Sequence, residues 1–167
     1  SMGILLQYNS NCAGASALER SIGLQDNSYE PSDGSIAFIG AGNYAGRTLL
    51  PSFKRAGASM HSIVSGGGFS ARHLGKKYNF LHAATDTALV LLNEEVDAVV
   101  IATRHNQHAA QVLDALDAGK HIFCEKPLCI NENELNSVIK AAESNLNKIL
   151  MIGFNRRFAP HTVKIKE

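Results

Sequence analysis

The sequence predicts an α/β fold, a doubly wound parallel sheet, on three observations. Short apolar runs alternate with segments of helical periodicity from residue 35 to residue 153. The run 97–102 is apolar with almost no alternation, as a strand covered on both faces must be. A glycine-rich turn, Gly40-Ala41-Gly42, sits between the first strand and the first helix.

The elements follow in order. Residues 35–39 read as a short apolar strand. Residues 43–56 carry helical spacing at Ala45, Leu49, Phe53 and Ala56. Pro51 lies inside that pattern and, lacking an amide hydrogen, should kink or split the helix. A strand at 60–65, a helix at 70–78, a strand at 80–83 and a helix at 87–92 lead to the buried strand at 97–102. Ala109, Val112, Leu113 and Leu116 share one helix face, and Gly119 can end that helix. Residues 121–124 form a strand. Asn131 with Glu134 makes a capping box before Leu135, Val138, Ile139 and Ala142. Residues 149–153 close the series as a strand.

A chain of 167 residues that is 45% hydrophobic suits one such domain. Sixteen Lys and Arg against fifteen Asp and Glu give a net charge of +1, so nothing in the charge balance calls for nucleic acid or an anionic membrane as partner. No apolar run approaches the ~20 residues that span a bilayer. Cys12, Cys124 and Cys129 are odd in number and lack C-x-x-C spacing, which points to a reducing, cytoplasmic setting without a disulfide framework or zinc ribbon. Residues 1–34 turn polar after the apolar stretch 3–8 and end in the turn Pro31-Ser32-Asp33-Gly34. They read as a linker with one strand at 3–8, or the end of a preceding domain. The domain proper occupies 35–160, and 161–167 leads away from it.

Gly40-Ala41-Gly42-Asn43-Tyr44-Ala45 is a G-x-G-x-x-A turn. Between a strand and a helix this pattern cradles a dinucleotide pyrophosphate: Gly40 allows the tight turn, Gly42 admits the phosphates, and small Ala45 lets helix and strand pack closely. The helix N-terminus, with Asn43 and Tyr44, offers amide hydrogens and partial positive charge. An NAD site usually carries an acidic residue about 20 residues later, on the ribose hydroxyls. Here the second strand ends Val64-Ser65-Gly66-Gly67-Gly68, and no acid appears before Asp86. Ser65 and, downstream, Arg72 are the candidates for ribose or phosphate contact. The cofactor is therefore NAD or NADP, with NADP mildly favoured.

Ile101-Ala102-Thr103-Arg104-His105-Asn106-Gln107-His108, then Ala118-Gly119-Lys120-His121, then Glu125-Lys126-Pro127 follow one another in an order and spacing more specific than any single motif. Over residues 35–160 the chain resembles the glucose–fructose oxidoreductase, inositol dehydrogenase and MocA family, whose members read A-T-P-N-x-x-H, A-G-K-H and E-K-P. The resemblance implies an NAD(P)-binding Rossmann domain of an oxidoreductase that moves a hydride between nicotinamide and a hydroxyl-bearing carbon, commonly of a sugar or cyclitol. It implies Lys126 as the catalytic residue, managing the substrate hydroxyl and its proton from a semi-buried position, with a cis bond between Lys126 and Pro127. Thr103, His105, His108, Glu125, Pro127 and Arg156 join the cofactor set. Arg104 and His105 depart from the family, which often has Pro and Asn there.

The same resemblance assigns Gly153-Phe154-Asn155-Arg156-Arg157-Phe158 to the last strand and the crossover into a second, substrate-binding domain beyond residue 167. That domain would supply an Asp and a His beside Lys126, so this stretch alone is expected to bind dinucleotide without turnover. Apolar surface left by that domain is expected to drive self-association or to pack on the N-terminal stretch. The 3–8 stretch with its linker resembles the junction in two-part proteins carrying a zinc-type alcohol dehydrogenase. No metal is expected: His105 and His108 have no Asp, Glu or Cys at ligand spacing. His121 reads as a packed core residue. A non-catalytic nucleotide-binding or regulatory module, or an interaction scaffold, is the competing reading, and neither requires Lys126.

Overall fold

The computed structural model describes residues 19–25 and 34–166. Seven strands form one sheet: β1 (Ser21–Gly23), β2 (Ser35–Ile39), β3 (Ser59–Val64), β4 (His82–Ala84), β5 (Ala98–Ile101), β6 (His121–Cys124) and β7 (Leu150–Ile152), in the order β1-β4-β3-β2-β5-β6-β7. All neighbours run parallel except β1, which pairs antiparallel with β4. The strand ending at Ile39 lies at the centre, where the chain order reverses. This is the Rossmann arrangement, and it opens a crevice at the carboxyl ends of β2 and β5.

Alternation along the strands builds a core on each face. Ile36 and Phe38 of β2, with Val100 of β5, join Ile63, Leu50 and Phe80 on one side. Ala37, Ile39, Val99 and Ile101 meet Val112, Leu116 and Val138 on the other. Every residue of β2 is buried, which is why its sequence shows no polar face. Phe38 makes edge-to-face contacts with Phe53 and Phe80, at centroid distances of 5.5 and 6.0 Å.

The helices show what local chemistry dictates. A π-turn over Ala45–Leu49 runs into α1 (Leu50–Arg55), and the Leu50 amide bonds to the Ala45 carbonyl. The widened turn sits just before Pro51, so the expected disruption takes this form rather than a break. α2 (Phe69–Tyr78) ends at Asn79 in the left-handed conformation. Phe80, expected to open a strand, instead precedes β4 as a fully buried anchor. α3 (Thr87–Leu91) is capped by Asp86, which accepts from the Ala88 amide. α4 (His105–Asp117) closes in a Schellman motif: Gly119 N–H bonds to Leu116 O and Lys120 N–H to Ala115 O, both at 2.9 Å, with Gly119 at φ +67°. α5 (Glu132–Ser144) begins at the expected cap, with Asn131 Oδ1 accepting from the Glu134 amide at 2.9 Å. α6 (Pro160–Lys166) follows a 3-10 turn, Asn155–Phe158.

The strand anticipated at 3–8 lies outside the described residues, as does the junction suggested there. Two expectations change. The segment read as linker contributes β1, because Ile22 and Leu24 can cover apolar surface beside β4. His121 is half-buried, since it faces the outer part of the sheet, and its Nδ1 accepts from the Ile149 amide at 3.1 Å. Around β7 and the turn after it, Ile149, Phe154 and Phe158 are exposed. No helix among the described residues is long and apolar enough to cross a membrane.

Candidate cofactor cleft and catalytic pocket

Two adjoining hollows occupy the carboxyl edge of the sheet. The first is a cleft of about 600 Å³ over β2, β3 and β4, with Gly40, Gly42, Ser65, Gly66, Thr85 and Thr87 on one side and Thr103, Arg104, Gln107 and Gln111 on the other. The second is a pocket of about 370 Å³ lined by Tyr44, Thr103, His105, His108, Glu125, Lys126, Asn155 and Arg156. Ala102 and Thr103, just after β5, belong to both.

The glycines set the cleft's shape. Gly40 adopts φ +108°, and a Cβ there would come within 2.5 Å of the Ala102 carbonyl oxygen. Gly42 differs: a Cβ there would meet nothing within 4 Å. Its backbone therefore faces open space, as a pyrophosphate cradle must. The helix's own hydrogen bonding begins with Gly46 N–H to Gly42 O at 2.9 Å, so amides of the preceding turn lie outside that ladder. Gly66 and Gly67 are likewise open. The lining contains no Asp or Glu and one Arg. The donor set and the room along the glycines fit a dinucleotide diphosphate.

The carboxylate question has a three-dimensional answer. Asp86, the first acid after β3, accepts from the Ala88 amide through Oδ1 and pairs with Arg20 through Oδ2, both at 3.0 Å. Both oxygens thus already hold a partner, and Asp86 is not among the residues that line the cleft. Ser65 lies in the cleft, though its Oγ already accepts from the Ala71 amide at 3.2 Å. Arg72 is exposed in a separate hollow with Arg20 and Phe69, because helix α2 turns it away from the cleft. Asn43 also faces elsewhere, beside Arg47 and His73.

The pocket is held by its histidine. His108 is buried, with Nδ1 2.7 Å from the Pro127 carbonyl and Nε2 3.2 Å from the Thr103 carbonyl. It ties the loop after β5 to the turn after β6. Pro127 lines neither hollow; it acts through that carbonyl, after a cis bond to Lys126. Glu125 is 8% exposed, and a Cβ on Gly153 would come within 2.8 Å of its Oε1. Gly153 thereby leaves the carboxylate its place. Lys126 is exposed, not semi-buried, because the pocket is open on that side. Asn155 Nδ2 donates to the Tyr44 hydroxyl at 3.2 Å, joining the two ends of the domain across the pocket.

Several lining residues were not named as site candidates. Gln107 and Gln111 fall four and eight residues after Thr103, on one face of α4, and Thr103 donates to Gln111 Oε1 at 2.6 Å. That spacing was a usable signal. Asn155 lay in the motif stretch 153–158, whereas Thr85 and Thr87 offered no signal. Burial raises the Cys124 thiol to about 12, helped by the Glu125 charge, so it does not serve as a nucleophile. Among the described residues no cluster of His, Cys, Asp or Glu is arranged to hold a metal.

A family model described as an oxidoreductase family with an NAD-binding Rossmann fold, the glucose–fructose oxidoreductase, inositol dehydrogenase and MocA group, matches residues 35–154. The chain belongs to this family. It is 32% identical over 125 residues to 4-carboxy-2-hydroxymuconate-6-semialdehyde dehydrogenase of Sphingobium sp., covering 75% of this chain and 39% of that protein. It is 34% identical over 96 residues to myo-inositol 2-dehydrogenase of Thermotoga maritima, covering 58% and 28%. The crystal structure of an NAD binding oxidoreductase from Klebsiella pneumoniae superposes with a TM-score of 0.71 at 24% identity, over 79% of this chain and 37% of that one. The chain thus spans about two fifths or less of the length of these relatives. The Rossmann fold and the family expected from the motifs both stand.

Proposed function

We propose that the chain is the cofactor-binding part of an NAD(P)-dependent oxidoreductase acting on a hydroxyl-bearing carbon of a sugar or cyclitol, with Lys126 as its catalytic residue. The observation that carries this reading is the continuity of the two hollows. Backbone amides and small side chains along Gly40, Gly42, Ser65 and Gly66 would hold the dinucleotide, and the cleft opens past Thr103 onto Lys126, Glu125 and His105. Bound there, the nicotinamide would accept or donate the hydride. The Lys126 amino group, next to the nicotinamide end, would hold the substrate hydroxyl and carry its proton. His108 would keep the Lys126–Pro127 turn in register with Thr103. The acid-free cleft, with Arg104 on its rim, supports binding of NADP at least as well as NAD. Free Cys124 and Cys129 accord with a reducing, cytoplasmic setting.

This stretch by itself would bind the dinucleotide and not turn over. Lys126 is exposed, and orientation of substrate against a nicotinamide contributes about 7–11 kcal/mol that an open pocket does not supply. The test pairs two measurements. Calorimetry with NADP and NAD should show binding that survives Lys126→Met. An absorbance assay at the reduced-nicotinamide band, over a panel of polyols and sugars, should show no sustained turnover. Fused to a family substrate-binding domain that restores turnover, the chain should lose roughly 10²–10⁴ in kcat on Lys126→Met. Lys126-dependent turnover by the present chain, or undiminished turnover by the fused variant, refutes the reading.

A further inference from the structure

We infer that Arg20, the residue just before the antiparallel edge strand β1, is a positioning and specificity-determining residue: it fixes and neutralises Asp86, which stands between two residues of the dinucleotide cleft's wall. The inference rests on the cofactor reading above. It concerns a segment outside the family match, which begins at residue 35.

Three links join β1 to that wall. Its backbone pairs with β4 from Ser21 opposite Ala84 to Gly23 opposite His82. Arg20 O accepts from the Thr85 amide at 2.8 Å and from the Thr85 hydroxyl at 3.4 Å. The Arg20 guanidinium meets Asp86 Oδ2 at 3.0 Å. A further contact anchors the strand, since a Cβ on Gly75 would collide with Leu24 Cδ1. Asp86 stands between Thr85 and Thr87, both of which line the cleft. A Cβ on Gly68 would lie 3.1 Å from Thr85 Cγ2, so the same wall touches the glycine loop after β3.

This half of a doubly wound crevice receives the ribose that carries the 2′-hydroxyl of NAD or the 2′-phosphate of NADP. The carboxylate set between its two threonines is Asp86. Its Oδ1 accepts from the Ala88 amide at the α3 cap and its Oδ2 from Arg20. Arg20 therefore does two things at once. It holds the threonine wall against the sheet edge, and it cancels a negative charge that would otherwise repel a 2′-phosphate. The pair is partly exposed, with side-chain exposures of 73% and 30%, so its effect is moderate.

The experiment measures Kd for NADP and NAD with the whole chain, alongside the melting temperature without ligand. Arg20→Ala should raise Kd for NADP by roughly three- to tenfold, and for NAD by roughly twofold or less, the range of one partly screened charge pair. Arg20→Lys should restore most of the NADP affinity. In an Asp86→Asn background, where the amide side chain still caps α3, Arg20→Ala should no longer discriminate between the two cofactors. A purely structural role for Arg20 would weaken both cofactors together, in step with melting temperature, whatever stands at position 86. That outcome overturns the inference, as does a selective loss that persists in the Asp86→Asn background. If the unaltered chain binds neither cofactor, the cofactor reading itself fails and this inference with it. Binding by the unaltered chain with no change in Arg20→Ala removes the inference alone.

Discussion

The cleft over β2, β3 and β4 and the pocket beyond β5 share Ala102 and Thr103 and differ in material. The cleft is made mostly of glycines, alanines and hydroxyl side chains, with Gln107 and Gln111, one cation and no acid in its lining. The pocket gathers His105, His108, Glu125, Lys126 and Arg156 into a smaller volume. One hollow offers backbone amides and space that side chains leave empty. The other presents groups that hold or move protons. The difference teaches where mutations should separate binding from chemistry: backbone changes act on the cleft, side-chain changes on the pocket.

The largest effect should come from the two glycines, and it splits the cleft itself. Gly42→Val points a side chain into space now open within 4 Å, so it should abolish dinucleotide binding while leaving the melting temperature nearly unchanged. Gly40→Val must clash with Ala102 O and forces a branched residue to φ +108°, so it should lower stability as well, by roughly 1–3 kcal/mol or more. Calorimetric titration and thermal unfolding of both variants decide it. Equal stability loss in the two would mean that Gly42 is structural and that the cleft is not a diphosphate cradle.

A smaller effect should follow from changing the charge of the cleft. Ser65→Asp keeps an acceptor for the Ala71 amide and adds the carboxylate that this cleft lacks. It should shift the NADP-to-NAD affinity ratio toward NAD by about tenfold. Arg104→Ala should weaken both cofactors several-fold and flatten the dependence of Kd on salt, through loss of a cation facing phosphate. Measuring Kd for both cofactors at two ionic strengths tests the pair, and an unchanged ratio in Ser65→Asp would place the 2′ position elsewhere.

The smallest effect belongs to a group in neither hollow and serves as the control. Burial holds the His82 imidazole below its ordinary value; neighbouring His61 adds to the shift and Glu95 opposes it. The folded state then favours the neutral ring, so the unfolded chain binds more protons between the lowered value and the ordinary one of about 6.5. The stability attached to His82 is complete above about 6.5 and is lost as pH falls through that window. Melting temperature should therefore decline from pH 7.5 to 5.5 less steeply in His82→Gln than in the unaltered chain, with dinucleotide Kd at pH 7.5 the same in both. A steeper decline would reverse the sign of the argument.

Fold and cleft were readable to different depths for the same reason. Requirements that are local leave local marks: the Gly40–Gly42 turn, the Asn131–Glu134 cap, the Gly119 helix end and the largely apolar, fully buried β2 all stand where their spacing put them. Requirements set by three-dimensional neighbours do not. Nothing around Arg72 says that α2 will turn it out of the cleft. Nothing around Thr85 says that it will line the cleft wall. The three residues of β1 are too few for an alternating pattern, and they form a strand because β4 offers an open edge. Pro51 announced a disturbance without saying that a π-turn would absorb it.

The lysine of Ala118-Gly119-Lys120-His121 has a different fate from its neighbour in the signature. Its amino group is buried and donates to the Asn93 and Val96 carbonyls at 2.7 and 2.8 Å, and burial lowers its pKa, partly offset by Asp97. An acylating reagent can reach it only while the corner between α3 and β5 is open, and once acylated it could not close both bonds again. The rate at which Lys120 is modified would thus clock the breathing of that corner, whereas exposed Lys126 would record only the reagent's concentration.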